Sequence, residues 1–238
     1  MKWQYKERKD NELKTFDYKN MGIKLVIFDV DGLLLNTELV LGEAWKVIAD
    51  KYNEPGFYDL HKYAVGISGK ESEDLIQNNL TDVENPLELL QSARMYGRKL
   101  LKDNIKVMPG AFELLDYLKA RNFSLAVATT TPRNLTMERL KQTGLIDYFQ
   151  VIVCGDEVKR RKPDPEIYTT VLMKMQCAAE DAIVFEDTGY GITAAYNAKI
   201  RPVMVPSLRQ PNDHEKAMCF DIIDNLSKGI EVIEKNTI

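Results

Sequence analysis

Short runs of apolar and β-branched residues recur along the chain and are separated by stretches with helical spacing. Runs that are apolar on both faces favour the central strands of a parallel sheet that helices cover on both sides. The runs occupy residues 24–30, 124–130, 151–154, 182–187 and 202–206. The stretches at residues 111–120, 134–144 and 165–175 place apolar residues three and four positions apart. This alternation predicts an α/β fold with a doubly wound, Rossmann-like parallel sheet.

The alternation is interrupted once, after the first predicted strand. About seventy residues pass before a strand–helix pattern resumes near Met108, and three stretches in that interval have helical spacing. They lie at residues 39–52, 70–80 and 86–101. We therefore expect a small α-helical cap domain inserted into the core. The predicted division is an N-terminal extension at 1–20, a core domain at 21–36 and 107–238, and a cap domain at 37–106.

Composition and charge exclude several classes of protein. Of the 238 residues, 45% are apolar, which suffices for a sizeable core, yet no apolar run approaches the length of a membrane span. The net charge of -4 provides no basic surface for nucleic acid. The three cysteines lack the spacing of a disulfide framework or a zinc site, and the first twenty residues lack the apolar stretch of a secretory signal. We expect a cytoplasmic protein. The sequence leaves its oligomeric state open, and a monomer is favoured.

Polar residues follow the predicted strands at the edge where an open parallel sheet binds its ligands. Four separate segments contribute Asp29, Asp31, Thr129, Thr130, Lys162, Glu186 and Asp187. Each is ordinary alone, since a pair of aspartates, a threonine or a lysine at a strand end is often a turn, a cap or a solvated charge. Together they form a complementary set. Thr131 and Pro132 are expected to be the cap and the first residue of the next helix.

The carboxylates of this set predict a magnesium site. Several acids at one edge accumulate negative charge that requires a counter-ion, and Mg²⁺ prefers a few oxygen ligands together with waters and substrate phosphate. We expect ligands from Asp29, from Asp31 through its backbone carbonyl, and from Asp187. Glu186 either binds the metal directly or supports it indirectly, and the sequence leaves both options open.

The same set predicts phosphoryl transfer. Asp29 is the candidate nucleophile, and Asp31, two residues later, is the candidate acid and base for the leaving alcohol and the incoming water. Charge on the transferred phosphoryl group requires fixed donors, for which Thr129, Thr130 and Lys162 are the candidates.

These motifs resemble those of the haloacid dehalogenase-like hydrolases, in particular the capped phosphatases and the β-phosphoglucomutase group. The matching segments are DVDGLLLNTE (29–38), ATTTPR (128–133), KPDP (162–165) and FEDT (185–188), and the similarity extends from about residue 24 to 206. The resemblance implies a nucleophile at Asp29, an acid/base at Asp31 and magnesium ligation that includes Asp187, in agreement with the roles inferred above.

The cap region departs from the mutases of this group. They carry a histidine in the first cap helix, whereas Leu41 occupies that position here, which weakens the mutase interpretation. His61 and His214 are expected at the surface or in loops. The glycine-containing loop at 66–71 resembles the cap loop that contacts substrate in related enzymes, so Lys70 is a candidate substrate contact.

The leading hypothesis is a phosphomonoester hydrolase acting on a small phosphorylated metabolite, such as a sugar phosphate or a nucleotide. The alternative enzyme is a sugar phosphomutase that uses the same aspartyl-phosphate. A phospho-receiver domain or a silent binding protein is the non-enzymatic alternative. A receiver needs neither the cap insertion nor Asp31.

Overall fold

A computed structural model describes residues 22–67 and 69–237, and its centre is one parallel β-sheet. The strands are β1 (Leu25–Phe28), β2 (Ser124–Ala128), β3 (Val151–Val153), β4 (Ala182–Glu186), β5 (Arg201–Met204) and β6 (Asp221–Ile222). Their order is β3-β2-β1-β4-β5-β6, and all neighbours are parallel. The first strand therefore lies between β2 and β4. The sheet continues through β2 to β3 on one side of it and through β4 and β5 to β6 on the other.

Helices cover both faces of this sheet. They are α6 (Ala111–Ala120), α7 (Arg133–Gln142), α8 (Glu166–Met175), α9 (Gly189–Asn197), α10 (Asp213–Met218) and α11 (Gly229–Asn236). Successive residues of each strand point to opposite faces, so Phe28 belongs to one core cluster and Ile27 to the other. Phe28 stacks on Phe185 of the neighbouring strand, with ring centroids 5.4 Å apart. The predicted doubly wound α/β fold is confirmed.

Five helices form the predicted α-helical cap. They are α1 (Thr37–Tyr52), α2 (Pro55–Asp59), α3 (His61–Ala64), α4 (Lys70–Asn79) and α5 (Pro86–Asn104). The cap has its own apolar core, separate from the two clusters of the sheet. At its centre Trp45 of α1 stacks on Phe57 of α2, with ring centroids 4.3 Å apart and planes 7° from parallel.

The chain leaves and re-enters the sheet domain at adjacent points. The Asn36 N–H donates to the Lys106 carbonyl at 3.0 Å, and the Lys106 N–H donates to the Asn36 side-chain oxygen at 2.7 Å. The predicted limits of the cap at 37 and 106 remain a prediction, and the predicted extension at 1–20 lies outside the described residues. Within the described ranges, no helix is both long and apolar enough to cross a membrane.

Phe57→Ala tests whether the cap depends on its own core. Phe57 is fully buried, so we expect the substitution to lower the free energy of unfolding by about 3–5 kcal/mol through lost burial and the remaining cavity. Urea unfolding followed by tryptophan fluorescence measures the change, because Trp45 lies in contact with the substituted ring. Tyr58→Ala on the same helix is the control, since Tyr58 is 43% exposed and its loss should cost less than about 0.5 kcal/mol. Equal losses in the two variants would contradict the assignment.

Candidate active site

The carboxyl ends of the three central strands bring the predicted residues to one edge of the sheet. Asp29 directly follows β1, Thr129 directly follows β2, and Glu186 is the last residue of β4. Lys162 reaches the same place from the loop after β3. The parallel pairing of β1 with both neighbours fixes these positions. Phe28 is paired with Val127 of β2 and with Phe185 of β4, so the three strands end level with one another.

The Lys162 ammonium group is the electrostatic centre of the site. Its Nζ lies 2.6 Å from the Asp29 carboxylate, 2.5 Å from the Glu186 carboxylate and 2.9 Å from the Ala128 carbonyl oxygen. Burial lowers the pKa of the Lys162 ammonium, but the carboxylates of Asp29 and Glu186 raise it, and the net pKa lies well above its ordinary value. Lys162 therefore remains charged although its side chain is buried.

Glu186 is held by protein donors on both of its carboxylate oxygens. Oε1 accepts from Lys162 and from the Tyr168 hydroxyl, which lies 3.1 Å away. Oε2 accepts from the backbone N–H groups of Asp187 and Thr188 and from the Thr188 hydroxyl, each within 3.1 Å. With both oxygens engaged, Glu186 fits the indirect role at the metal site better than direct ligation. It orients Lys162 and the turn that carries Asp187.

Asp29 and Asp187 fit a magnesium ion. Asp187 Oδ1 is buried and accepts no hydrogen bond in the described part of the chain, whereas Oδ2 accepts from Ser207 at 2.7 Å. Burial and the nearby carboxylate of Glu186 raise the Asp187 pKa well above its usual value. Burial also raises the Asp29 pKa, to about 7, against the lowering effect of Lys162. A divalent cation would favour ionisation of both groups and would give Asp187 Oδ1 a partner.

Few of these carboxylates are placed to share one metal ion. In the ranges 22–67 and 69–237, no group of three or more His, Cys, Asp or Glu side chains has the arrangement of a metal site. Magnesium is commonly bound by one or two carboxylates together with waters and substrate oxygens. Asp29 and Asp187 match that kind of site.

Asp31 is fixed by partners that the sequence did not indicate. Arg139 of α7 donates to Asp31 Oδ1 at 2.6 Å, and the Thr131 hydroxyl donates to Oδ2 at 2.6 Å. Both carboxylate oxygens are thus held by groups of the β2–α7 segment, while Asp29 is held by Lys162. The two neighbouring aspartates have different partners, as different roles require.

The threonines differ from one another in position. The expectation that Thr131 caps the next helix is wrong: α7 begins at Arg133, and the Thr131 hydroxyl binds Asp31 instead. Thr130 lines the cavity described below, whereas Thr129 is buried and its hydroxyl accepts the Thr131 N–H at 3.2 Å. Phosphate binding by Thr129 and Thr130 remains a prediction.

A cavity of about 330 Å³ lies between the core and the cap. Its core wall includes Asp29, Asp31 and Lys162. Its cap wall includes apolar and polar side chains of four cap helices, among them Leu41, Trp45, His61, Ser72, Leu90 and Arg94. A phosphate ester that reaches Asp29 would therefore place its alcohol part against the cap.

The structure contradicts the prediction for His61 and leaves the prediction for Lys70 open. His61 was expected at the surface or in a loop, and this is wrong: it begins α3, is 7% exposed and lines the cavity. The short helices around it have no clear hydrophobic period, so its burial could not be predicted from the sequence. Lys70, by contrast, is exposed at the first residue of α4 and is not among the residues that line the cavity. Its substrate contact remains a prediction.

Arg139 and Tyr168 are the site residues that the sequence analysis missed. Arg139 lies in the second turn of α7 and Tyr168 in the first turn of α8, both in helices that follow a motif. An arginine in a helix is usually solvated and a tyrosine is usually part of a core. The available signal was their position in the first or second turn of a helix that directly follows a motif.

The fold, the cap and the carboxylates gathered with a buried lysine at one edge of the sheet define a capped phosphoryl-transfer hydrolase. The sequence profile of the family described as "Haloacid dehalogenase-like hydrolase" matches residues 26–205. The chain belongs to this family.

Named relatives agree with the predicted enzyme class. The chain is 37% identical over 183 residues to the phosphorylated carbohydrates phosphatase of Thermotoga maritima, covering 76% of this chain and 84% of that protein. It is 29% identical over 198 residues to (DL)-glycerol-3-phosphatase 2 of Arabidopsis thaliana, covering 80% and 82%. A solved β-phosphoglucomutase of Clostridium difficile has the same fold, with a TM-score of 0.68, 24% identity, and coverage of 90% and 96%. The predictions of the family and of a phosphatase are confirmed.

Burial of His61 predicts a pH-dependent stability. Burial lowers the pKa of the folded-state imidazole to about 4, whereas the unfolded value is about 6.5. The unfolded chain therefore binds a proton that the folded chain does not, so stability is full above about pH 6.5 and is lost as the pH falls towards 4. The loss due to His61 should be about 2 kcal/mol between about pH 7.5 and about pH 5.

Urea unfolding of the wild type and of His61→Gln at the two pH values measures this contribution. The wild type should lose more stability on acidification than the variant. His214→Gln is the control, because His214 is exposed on α10. Parallel losses in the wild type and in His61→Gln would contradict the burial of a neutral imidazole.

Proposed function

We propose that this chain is a magnesium-dependent phosphatase that hydrolyses the phosphate monoester of a small phosphorylated metabolite of the sugar phosphate or nucleotide class, through an aspartyl-phosphate at Asp29. The observation that carries the proposal is the contact of the Asp29 carboxylate with the buried Lys162 ammonium, 2.6 Å apart, at the floor of the cavity beneath the cap. One oxygen of Asp29 is held by this contact, and the other is available for attack on phosphorus.

In the first half-reaction, Asp29 forms a bond to phosphorus and the bond from phosphorus to the alcohol oxygen breaks. Lys162 and Thr130, which line the cavity next to Asp29, provide positive charge and hydrogen-bond donors for the phosphoryl oxygens. Asp31 gives its proton to the departing alkoxide, so that a neutral alcohol leaves. Arg139 and Thr131 orient Asp31 for this transfer.

In the second half-reaction, water attacks the phosphorus of the aspartyl-phosphate. Asp31, now ionised, takes a proton from that water, the bond between phosphorus and Asp29 breaks, and inorganic phosphate leaves.

Asp29 and Asp187, with the Asp31 backbone carbonyl, would hold Mg²⁺. When bound, the ion supplies positive charge that keeps these carboxylates ionised and that offsets the negative charge of the phosphoryl group. Glu186 supports this site through Lys162 and through the backbone of Asp187 and Thr188.

A sugar phosphomutase is the alternative that shares the first half-reaction. It differs in transferring the phosphoryl group from Asp29 to a second sugar hydroxyl rather than to water. Leu41, at the position where mutases of this family carry a histidine, lines the cavity with an apolar side chain. The phosphatase is therefore the preferred assignment.

Phosphate release tests the proposal and separates the two enzymes. The wild type, with Mg²⁺, should release phosphate from at least one member of a panel of sugar phosphates, nucleotides and p-nitrophenyl phosphate. Excess chelator should abolish the release. Asp29→Asn should lower kcat by at least about a thousandfold, because no nucleophilic carboxylate remains.

Asp147→Asn is the matched control and should retain full activity. Asp147 is exposed in the turn before β3, at the opposite edge of the sheet from Asp29. Conversion of one sugar phosphate isomer into another without release of phosphate would favour the mutase. Full activity of Asp29→Asn, or absence of both reactions for every compound, would contradict the proposal.

Arg139→Met should impair the enzyme according to the leaving group. If Arg139 acts by orienting Asp31 as proton donor, kcat/KM should fall by about 100-fold for an alkyl phosphate such as glycerol 3-phosphate. It should fall less than about threefold for p-nitrophenyl phosphate, whose leaving group is stable without a proton. The ratio kcat/KM is the appropriate measure because it reports the first half-reaction.

The control for this prediction is Arg133→Met on the same helix. Arg133 pairs with Glu157 outside the cavity and is 47% exposed at its side chain, so neither substrate should be affected. Equal losses for both substrates in Arg139→Met would instead indicate a role in phosphate binding or folding.

A further inference from the structure

His61 is a largely buried polar side chain on the wall of the cavity, and none of the described residues forms a hydrogen bond with it. It is 7% exposed and faces the same space as Asp29 and Lys162. Its imidazole contacts the Trp45 ring, with centroids 5.3 Å apart, and the backbone of α1 at Gly42. Across residues 22–67 and 69–237 it makes neither a hydrogen bond nor an ion pair.

The nitrogens of His61 are not sealed off from the cavity. The residue is 7% exposed, yet neither of its nitrogens is among the fully enclosed polar atoms that lack a partner in the described part of the chain. Most polar groups in such surroundings are bonded to the protein. Other polar side chains of the cap wall follow this rule: the Arg94 guanidinium donates to the Ser72 hydroxyl at 2.6 Å, and that hydroxyl donates to the Gly69 carbonyl at 2.8 Å. His61 faces the cavity without such a bond to a described residue, so a molecule bound there would supply its partner.

The chemistry of the imidazole indicates what kind of group it binds. Burial keeps His61 neutral at neutral pH, so one ring nitrogen donates and the other accepts a hydrogen bond. A hydroxyl group also donates and accepts, and it matches a neutral imidazole. A second phosphate or a carboxylate only accepts hydrogen bonds. Such a group would be matched by a cation or by side chains that only donate. The adjacent Trp45 ring offers apolar contact to the carbon skeleton of the same ligand.

The position of His61 indicates which part of the substrate it meets. Asp29 and Lys162 lie on the core wall and receive the phosphoryl group, whereas His61 lies on the cap wall. The alcohol part of the substrate occupies the space between the walls. We propose that His61 hydrogen-bonds a hydroxyl of the leaving alcohol and so selects phosphate esters of polyhydroxylated alcohols, such as sugars and polyols. This inference rests on the proposed phosphatase function.

Paired substrates test the role of His61. Values of kcat/KM are measured for the best sugar or polyol phosphate of the panel and for p-nitrophenyl phosphate, which carries no hydroxyl. His61→Phe keeps a planar ring but removes both nitrogens, and it should lower kcat/KM for the sugar or polyol phosphate by about 10- to 100-fold. The value for p-nitrophenyl phosphate should change less than about threefold. His61→Gln, which retains a donor and an acceptor, should recover part of the loss.

Gly42→Ala provides a second variant that does not touch the imidazole itself. A Cβ at Gly42 would lie 3.1 Å from His61 Cε1, so the ring would have to shift by a few tenths of an ångström. Alanine favours the helix more than glycine does, so folding is not at risk. We expect a loss of about 3- to 10-fold for the sugar or polyol phosphate alone. Glu43→Ala, at the exposed neighbouring position of α1, is the control and should change neither substrate.

The possible outcomes are distinguishable. A wild type that hydrolyses neither substrate would contradict the phosphatase itself. A wild type that hydrolyses both, together with equal losses on both in His61→Phe and Gly42→Ala, would leave the phosphatase intact and show that His61 serves only the packing of the cap. Unchanged kcat/KM for the sugar or polyol phosphate in both variants would also overturn the inference.

Discussion

The buried ammonium group of Lys162 is the interaction on which the site depends. It joins groups from neighbouring strands, since Asp29 follows β1, Ala128 ends β2 and Glu186 ends β4. Removing a charge from water is costly, and two carboxylates at hydrogen-bond distance are needed to keep it there. In return, the ammonium fixes one oxygen of Asp29. This contact restricts rotation of the Asp29 carboxylate, and Asp29 lines the cavity.

The rest of the site follows from this division of partners. Asp29 and Asp31 are separated by one residue, yet the first is held by Lys162 and the second by Arg139 and Thr131. The first therefore belongs to the floor of the site and the second to the side of the cavity formed by the β2–α7 segment. The proposed roles of nucleophile and proton carrier therefore rest on the different neighbours of two identical side chains rather than on their own chemistry.

The sequence predicted the parts of this structure that follow from local patterns. Strand runs with both faces apolar, such as residues 24–30, identify central strands, and the carboxyl ends of parallel strands must meet at one edge. Lys162 and Asp187 were therefore predictable as site residues. The β6 strand was not, because it has two residues, both exposed, and so carries no apolar run.

Contacts that depend on tertiary packing could not be predicted in the same way. Arg139 reaches Asp31 only because α7 packs with that face towards the cavity, and the sequence of α7 reads equally well as a solvated helix. His61 is buried where its ring packs against Trp45 and Gly42 of α1, although a lone histidine in short helices gives no such indication. The sequence left open whether Glu186 binds the metal directly or supports it indirectly. The indirect role is preferred because both carboxylate oxygens accept hydrogen bonds from the protein, and those contacts are visible only in the three-dimensional structure.

The hydrogen-bonded pairing of Asn36 with Lys106 has a consequence beyond this one enzyme. An insert whose two ends are neighbours can be lengthened, shortened or replaced without moving the strands on either side of it. On the proposed assignment, the chemistry lies in the sheet domain and the contacts to the alcohol lie in the insert, so the two occupy separate stretches of the chain. Such a protein can acquire a new substrate by altering one continuous block of sequence while the reaction itself is inherited unchanged.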